Sequence, residues 1–106
     1  MDRDLELRAR VLVFDAHRLS LPQRVWAYRV LAEVSPAAYR PKLARALVRL
    51  SADGALLELP AVRLALLAEA VAAAGGLAES DPMRGPALAR ALAARRAELD
   101  RQGLTD

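Results

Sequence analysis

The side chains of this sequence that could do chemistry are mainly arginines. Its 106 residues include 15 Arg, one Lys, one His and no Cys. The lack of Cys excludes disulfides, thiolate zinc sites and cysteine nucleophiles, and a single His (His17) excludes a multi-histidine metal centre. No spacing of the four Ser residues around His17 suggests a nucleophile with its base. We therefore expect no catalytic residues, no metal and no cofactor.

Three cationic side chains recur at helical spacing in the middle of the chain. Lys42, Arg45 and Arg49 fall on one stripe of a predicted helix, separate from its apolar stripe. Guanidinium and ammonium groups form charge-assisted hydrogen bonds with carboxylates. The stripe is thus a candidate surface for an acidic partner, with a simple solvent-exposed helix face as the alternative.

The overall charge gives only a weak indication of function. The net charge is +3 and the sequence pI is about 10.2, which is a first sign of nucleic-acid binding. However, the chain has 24 Ala, no Ile and no Asn, a bias typical of GC-rich coding, so part of the Arg excess follows from composition. Aromatic residues at 4% argue against a surface on which bases stack.

The chain shows no targeting or membrane segment. Its first residues are charged and lack the apolar region of a signal peptide. The stretch Leu64–Ala78 is apolar, but Glu69 interrupts it and it is shorter than the roughly 20 residues of a membrane span. We expect a cytoplasmic protein.

Pro and Gly divide the sequence into five segments with helical patterns. The first places Leu5, Ala9, Leu12, Ala16 and Leu19 on one stripe, although residues 5–14 also alternate as a half-buried strand does. Helix is favoured, because a lone strand has no partner here. Ser20-Leu21-Pro22-Gln23 predicts a capping box that opens the second helix.

The third helix aligns four apolar side chains and carries Pro41 in its first turn or at a kink. Those side chains are Tyr39, Leu43, Leu47 and Leu50. After it, Asp53-Gly54 fits either a β-hairpin turn or, as we favour, a helix C-cap at Gly54 followed by a loop.

The last two helices follow Pro60 and Gly85-Pro86. The fourth is apolar nearly all round, which predicts a place in the centre of a bundle. The fifth should turn Leu88, Leu92 and Leu99 inward and stop at Gly103.

An internal repeat is the most informative pattern. Residues 41–47 (PKLARAL) recur as residues 86–92 (PALARAL), which makes Arg45 and Arg90 equivalent. Residues 31–36 (LAEVSP) similarly recur as residues 77–82 (LAESDP). A period of this length in paired helices is typical of an α-solenoid.

These residues resemble a known family. Residues 35–44 (SPAAYRPKLA), with Leu47 and Leu50, resemble the first helix of the tetratricopeptide-like repeats of high-GC bacteria, and residues 25–36 and 69–82 resemble its second helix. Val48-Arg49 stands where those repeats carry two Asn, so the array is a degenerate one. The resemblance implies an all-α fold of about five helices, packed as antiparallel pairs in a short solenoid or bundle.

The resemblance also implies an organisation and a use. Residues 1–20 would form a capping helix, residues 21–92 the repeat region, and residues 93–106 the end of the last helix and a tail. The concave face would carry Lys42, Arg45, Arg49 and Arg90, with Trp26 as a further candidate anchor.

We therefore predict a non-catalytic protein–protein interaction module that binds another protein, through an acidic segment, or itself as a homo-oligomer. The alternative is a small basic DNA-binding regulator of the helix-turn-helix or winged-helix type, built from residues 41–71.

Overall fold

The chain folds as an all-α bundle, as the sequence predicts. The computed structural model describes residues 3–14 and 19–104, with side chains from residue 19 onward and for residues 3–11. Within them lie α1 (Arg3–Phe14), α2 (Leu21–Val34), α3 (Pro36–Ser51), α4 (Pro60–Gly75) and α5 (Arg84–Arg101). A short 3-10 turn, Gly54–Leu56, joins α3 to α4. None of these helices is long and apolar enough to cross a membrane.

The first segment is helical, so the strand alternative for residues 5–14 is wrong. Ala9 is fully buried and packs with Ala27 and Leu31 of α2. Val11, in contrast, is 66% exposed, because α1 packs against α2 and leaves its other side to solvent. The predicted stripe positions Leu12 and Ala16, and also His17, lie outside the side chains that the structure describes.

The capping box at the start of α2 is confirmed. The backbone N–H of Gln23 donates to Ser20 Oγ at 3.3 Å, and Ser20 N–H donates to Gln23 Oε1 at 3.0 Å. These two bonds satisfy backbone donors that a helix start leaves free. They fix the direction in which α2 runs between α1 and α3.

Helix α3 is the centre of the bundle, because it packs against α2, α4 and α5. Leu43 and Leu47 of its predicted stripe are buried. Pro41 lies inside the helix rather than in its first turn and is also buried. The prediction that α4 would be central is wrong: α4 buries one face and leaves Val62 42% exposed on another.

Neither interpretation of Asp53-Gly54 is correct. Helix α3 ends at Ser51 with Ala52 as its C-cap. The Asp53 side chain then accepts a hydrogen bond from Ala55 N–H at 2.9 Å and caps the 3-10 turn. A hydrogen bond from nearby backbone to a short acidic side chain thus stabilises a 3-10 turn at this position. The described residues contain no hairpin.

The predicted inward stripe of α5 is confirmed only in part: Leu88 packs against the core and Leu99 is half-buried. Leu92 is 44% exposed, whereas Ala91 and Glu98 are buried. The predicted stop at Gly103 is confirmed: its φ is 70°, and Leu104 N–H donates to the Leu99 carbonyl at 2.9 Å. Positive φ and this bond define a glycine-dependent helix end.

A buried carboxylate joins α4 to α5. Glu98 is 1% exposed and accepts hydrogen bonds from Arg63 Nη2 at 2.8 Å, Arg101 Nη2 at 2.8 Å and Gln102 Nε2 at 2.7 Å. The Gln102 amide bond, then the charges of Arg101 and Arg63, lower the pKa of the Glu98 carboxyl against the opposing effect of burial. Glu98 is therefore held as a carboxylate.

Two arginines tie α4 to the helices before it. Arg29 of α2 donates to both carboxylate oxygens of Glu69, at 2.6 and 2.7 Å, and this bonding raises the pKa of Arg29. Arg40 of α3 donates to the carbonyls of Ala72 and Ala73 at the end of α4. Its guanidinium occupies the space that a Cβ at position 76 would need, so glycine fits there.

Candidate partner-binding surface

The structure brings the four predicted cationic residues onto one surface. Lys42, Arg45 and Arg49 are exposed along α3, and Arg90 is exposed on α5. Because α3 packs against α5, Arg45 and Arg90 line the same cleft. The two equivalent positions of the sequence repeat thus face each other across one depression.

The first depression lies between α2 and α3 and has a volume of about 170 Å³. We name it the cationic cleft, since four of its lining side chains carry positive charge. Its lining consists of Leu21, Arg24, Tyr28, Lys42, Arg45, Ala46 and Arg49. Such a cluster of donors suits a carboxylate or another oxyanion.

The second depression lies between α3 and the start of α5 and has a volume of about 220 Å³. We name it the apolar cleft, because most of its lining is aliphatic. It is lined by Pro41, Ala44, Arg45, Val48, Met83, Pro86, Ala87 and Arg90. Arg45 belongs to both clefts, so the two depressions flank α3 and meet at this residue.

The positive charge of this surface is not neutralised by the ion pairs of the described chain. Those pairs are Arg10–Glu6, Arg29–Glu69, Arg63–Glu98 and Arg101–Glu98. Lys42 instead places its Nζ 5.3 Å from the centre of the Tyr39 ring, a cation–π contact. The surface therefore keeps a positive charge that the described ion pairs do not balance.

Trp26 is not part of this surface. It is half-buried on the α1 side of α2, where it lines an open apolar hollow of about 420 Å³ with Leu7, Arg8 and Val11. The structure therefore separates the predicted aromatic anchor from the predicted cations.

Sequence reasoning missed two parts of the surface. Arg24 joins the cationic cleft from α2, one helical turn before Tyr28, and that spacing was the available signal. Met83 and Pro86 line the apolar cleft from the segment at the start of α5, where the sequence indicated a helix start and a repeat but no surface role. Among residues 3–14 and 19–104, no group of three or more acidic or His side chains is placed to hold a metal ion.

Comparison with known proteins gives no match, whether to a protein-family model, to a curated protein or to a solved structure.

Proposed function

We propose that this chain is a non-catalytic interaction module that binds an acidic segment of another protein across α2, α3 and α5. The observation that carries this proposal is the cleft in which Arg45 and Arg90 stand together outside the ion pairs of the described chain. Two such guanidinium groups provide paired donors for carboxylates.

The size of the clefts supports a macromolecular ligand. At about 170 and 220 Å³, both are smaller than the roughly 300–1,000 Å³ of pockets that enclose small molecules. Each fits single side chains of a segment that lies across the surface. A protein segment uses several such shallow contacts at once.

The packing of the helices supports a degenerate tetratricopeptide-like repeat as the origin of this surface. Helix α3 pairs with α4 and also packs against α5, so equivalent helices of successive units are neighbours. Arg45 and Arg90 occupy the same position of the repeat and line one cleft. This arrangement is the one that a stacked pair of units would produce.

The test compares two charge-reversal variants with the same change in net charge. Arg45→Glu with Arg90→Glu removes the proposed contacts, whereas Arg95→Glu with Arg96→Glu reverses two exposed arginines that line neither cleft. Binding of a fluorescent polyglutamate peptide at low salt is measured by anisotropy. We expect at least tenfold weaker binding for the first variant and a much smaller loss for the second.

Equal losses in the two variants would show a non-specific charge effect and overturn the proposal. Duplex DNA is the competing probe, since a helix-turn-helix regulator was the alternative from the sequence. Binding to DNA that falls steeply with salt, without binding to the acidic peptide, would favour that alternative instead. Residues 41–71 contain no strand, so the structure gives no support to the winged form of that alternative.

A further inference from the structure

The two clefts beside α3 differ in chemistry but share one residue. The cationic cleft is lined by Arg24, Lys42 and Arg49, and the apolar cleft mainly by aliphatic side chains. Arg45 lines both, so a ligand that contacts Arg45 has access to each. A purely acidic segment would use only part of this surface.

The apolar cleft has the features of a pocket for one apolar side chain. Ala44 is 2% exposed, so a small side chain forms part of the cleft without filling it. Pro41 and Pro86 add rigid rings, and Met83 is 46% exposed, with a flexible side chain that adapts to a ligand. An apolar group placed there leaves water and gains contacts with the cleft.

Charge complementarity determines which residues can flank that apolar side chain in the ligand. Arg45 and Arg90 belong to the lining of the apolar cleft, so the chain that enters it passes close to two cations. An apolar segment with basic neighbours would meet repulsion there, whereas one with acidic neighbours gains charge-assisted bonds.

The positions of the clefts set the spacing of the ligand's side chains. They lie on neighbouring sides of α3, because successive positions of that helix line them, and the full width of a helix with its side chains, about 10 Å, is the upper limit of their separation. An extended peptide advances roughly 3.3 Å per residue, so at most about three residues cross α3 from one cleft to the other.

We infer that the partner segment is an acidic peptide with an apolar anchor: a Leu-sized side chain enters the apolar cleft, and a carboxylate at most about three residues away binds in the cationic cleft. This inference rests on the proposed function. It adds the requirement for the anchor and its distance from the acid.

The experiment selects peptides from a random dodecapeptide library displayed on phage, with the whole chain as bait. The expected result is enrichment of Glu or Asp together with Leu, Ile, Phe or Met at a separation of at most about three residues. Enrichment of acidic residues without an apolar position would overturn this inference and leave the proposed function standing. Selection without any acidic preference would overturn both.

A pair of variants then tests the cleft itself. Ala87→Leu fills the apolar cleft, while Ala89→Leu adds the same group to an exposed position on α5 outside both clefts. An enriched peptide should bind Ala87→Leu roughly tenfold more weakly than Ala89→Leu, and its anchor-to-Ala version should bind both equally. Thermal unfolding verifies that each variant is folded.

If Ala87→Leu fails to fold, Met83→Ser provides the same test at a more exposed position of the lining. It should weaken the enriched peptide and leave the anchor-to-Ala version unaffected. Equal binding of the enriched peptide by wild type and by a folded cleft variant would place the anchor elsewhere and overturn the inference.

Discussion

Replacement of Glu98 by alanine tests whether a buried ion network holds α5 against α4. The carboxylate is 1% exposed and accepts three hydrogen bonds of 2.7–2.8 Å, from Arg63, Arg101 and Gln102. Arg63 reaches it from α4, and the other two donors lie close by at the end of α5. Alanine would remove the acceptor and leave the donors in place.

The loss of free energy of unfolding in Glu98→Ala depends mainly on Arg63. Its side chain is only 13% exposed, so its charge would stay largely buried without a carboxylate and with only its bond to the Leu57 carbonyl, whereas Arg101 is 67% exposed and can turn to water. Loss of one member of a buried pair costs about 3–5 kcal/mol. Because only one of the two arginines is confined, we expect the low end, about 3 kcal/mol.

A matched control comes from the exposed pair Glu6–Arg10 on α1. Its side chains are 23% and 48% exposed, and such a pair four residues apart contributes roughly 0.3–0.5 kcal/mol. Glu6→Ala should therefore destabilise the chain several-fold less than Glu98→Ala. Urea unfolding followed by far-ultraviolet circular dichroism measures both free energies of unfolding.

The same network predicts the direction of a pH effect. The folded-state pKa of Glu98 lies below its usual value of 4.5, so the folded form gains stability from the ionised group above that pH. This contribution is lost as pH falls from 4.5 through the lower folded-state value. Glu98→Gln carries no such charge, so its stability difference from wild type should be constant near neutral pH and shrink in acid.

Two results would refute the reasoning. One is a loss for Glu98→Ala no larger than that for Glu6→Ala, which would mean that solvent already screens the network. The other is a free energy of unfolding for the double variant, Arg63→Leu with Glu98→Leu, that is lower than that of Glu98→Ala. Removal of both charges should recover much of the loss, because no buried charge is then left unpaired.

Three further predictions concern the helix ends and the exposed hollow. Gly76→Ala should lower the free energy of unfolding by roughly 0.5–1 kcal/mol by displacing the Arg40 guanidinium, and in an Arg40→Ala background the same change should have a smaller effect, since only the Ala72 carbonyl oxygen then lies close to the added Cβ, at 3.2 Å. Gly103→Ala should cost about 1 kcal/mol in a urea titration, since φ is 70° at that position. We expect a homo-oligomer that covers the hollow beside Trp26, so Leu7→Gln with Val11→Gln should reduce the mass in light scattering, and a wild-type monomer at all concentrations would contradict that expectation.

The helix starts could be predicted because their signals are local. Ser20 and Gln23 sit three residues apart and bond to each other's backbone, and Pro36 and Pro60 each begin a helix. The end of α3 was harder, since two local signals compete there. The Asp53 side chain bonds to Ala55 N–H and determines the turn, so the glycine beside it does not act as the cap.

The buried face of α5 could be predicted only in part from its own sequence. A stripe of Leu88, Leu92 and Leu99 predicts one buried face, but Glu98 is buried instead of Leu92. Burial of a carboxylate requires a partner, and Arg63 lies 35 residues earlier on another helix. No period within α5 reveals that partner.

The part of the candidate surface that carries the repeated arginines could be predicted from the sequence repeat. Arg45 and Arg90 were paired by sequence equivalence, and they line one cleft. The apolar half of the surface depends on how the segment at the start of α5 lies against α3, which brings Met83 and Val48 into the lining of one cleft. That arrangement is tertiary, so it needs the structure.

The distribution of charge argues that composition alone does not explain the basic surface. A bias towards arginine codons would place arginines without regard to acidic partners. Instead Arg29, Arg63 and Arg101 are engaged with carboxylates, while Arg45 and Arg90 stand outside the described ion pairs and beside an apolar cleft. The two clefts thus gather cations that the described ion pairs leave unneutralised and place them next to an aliphatic lining.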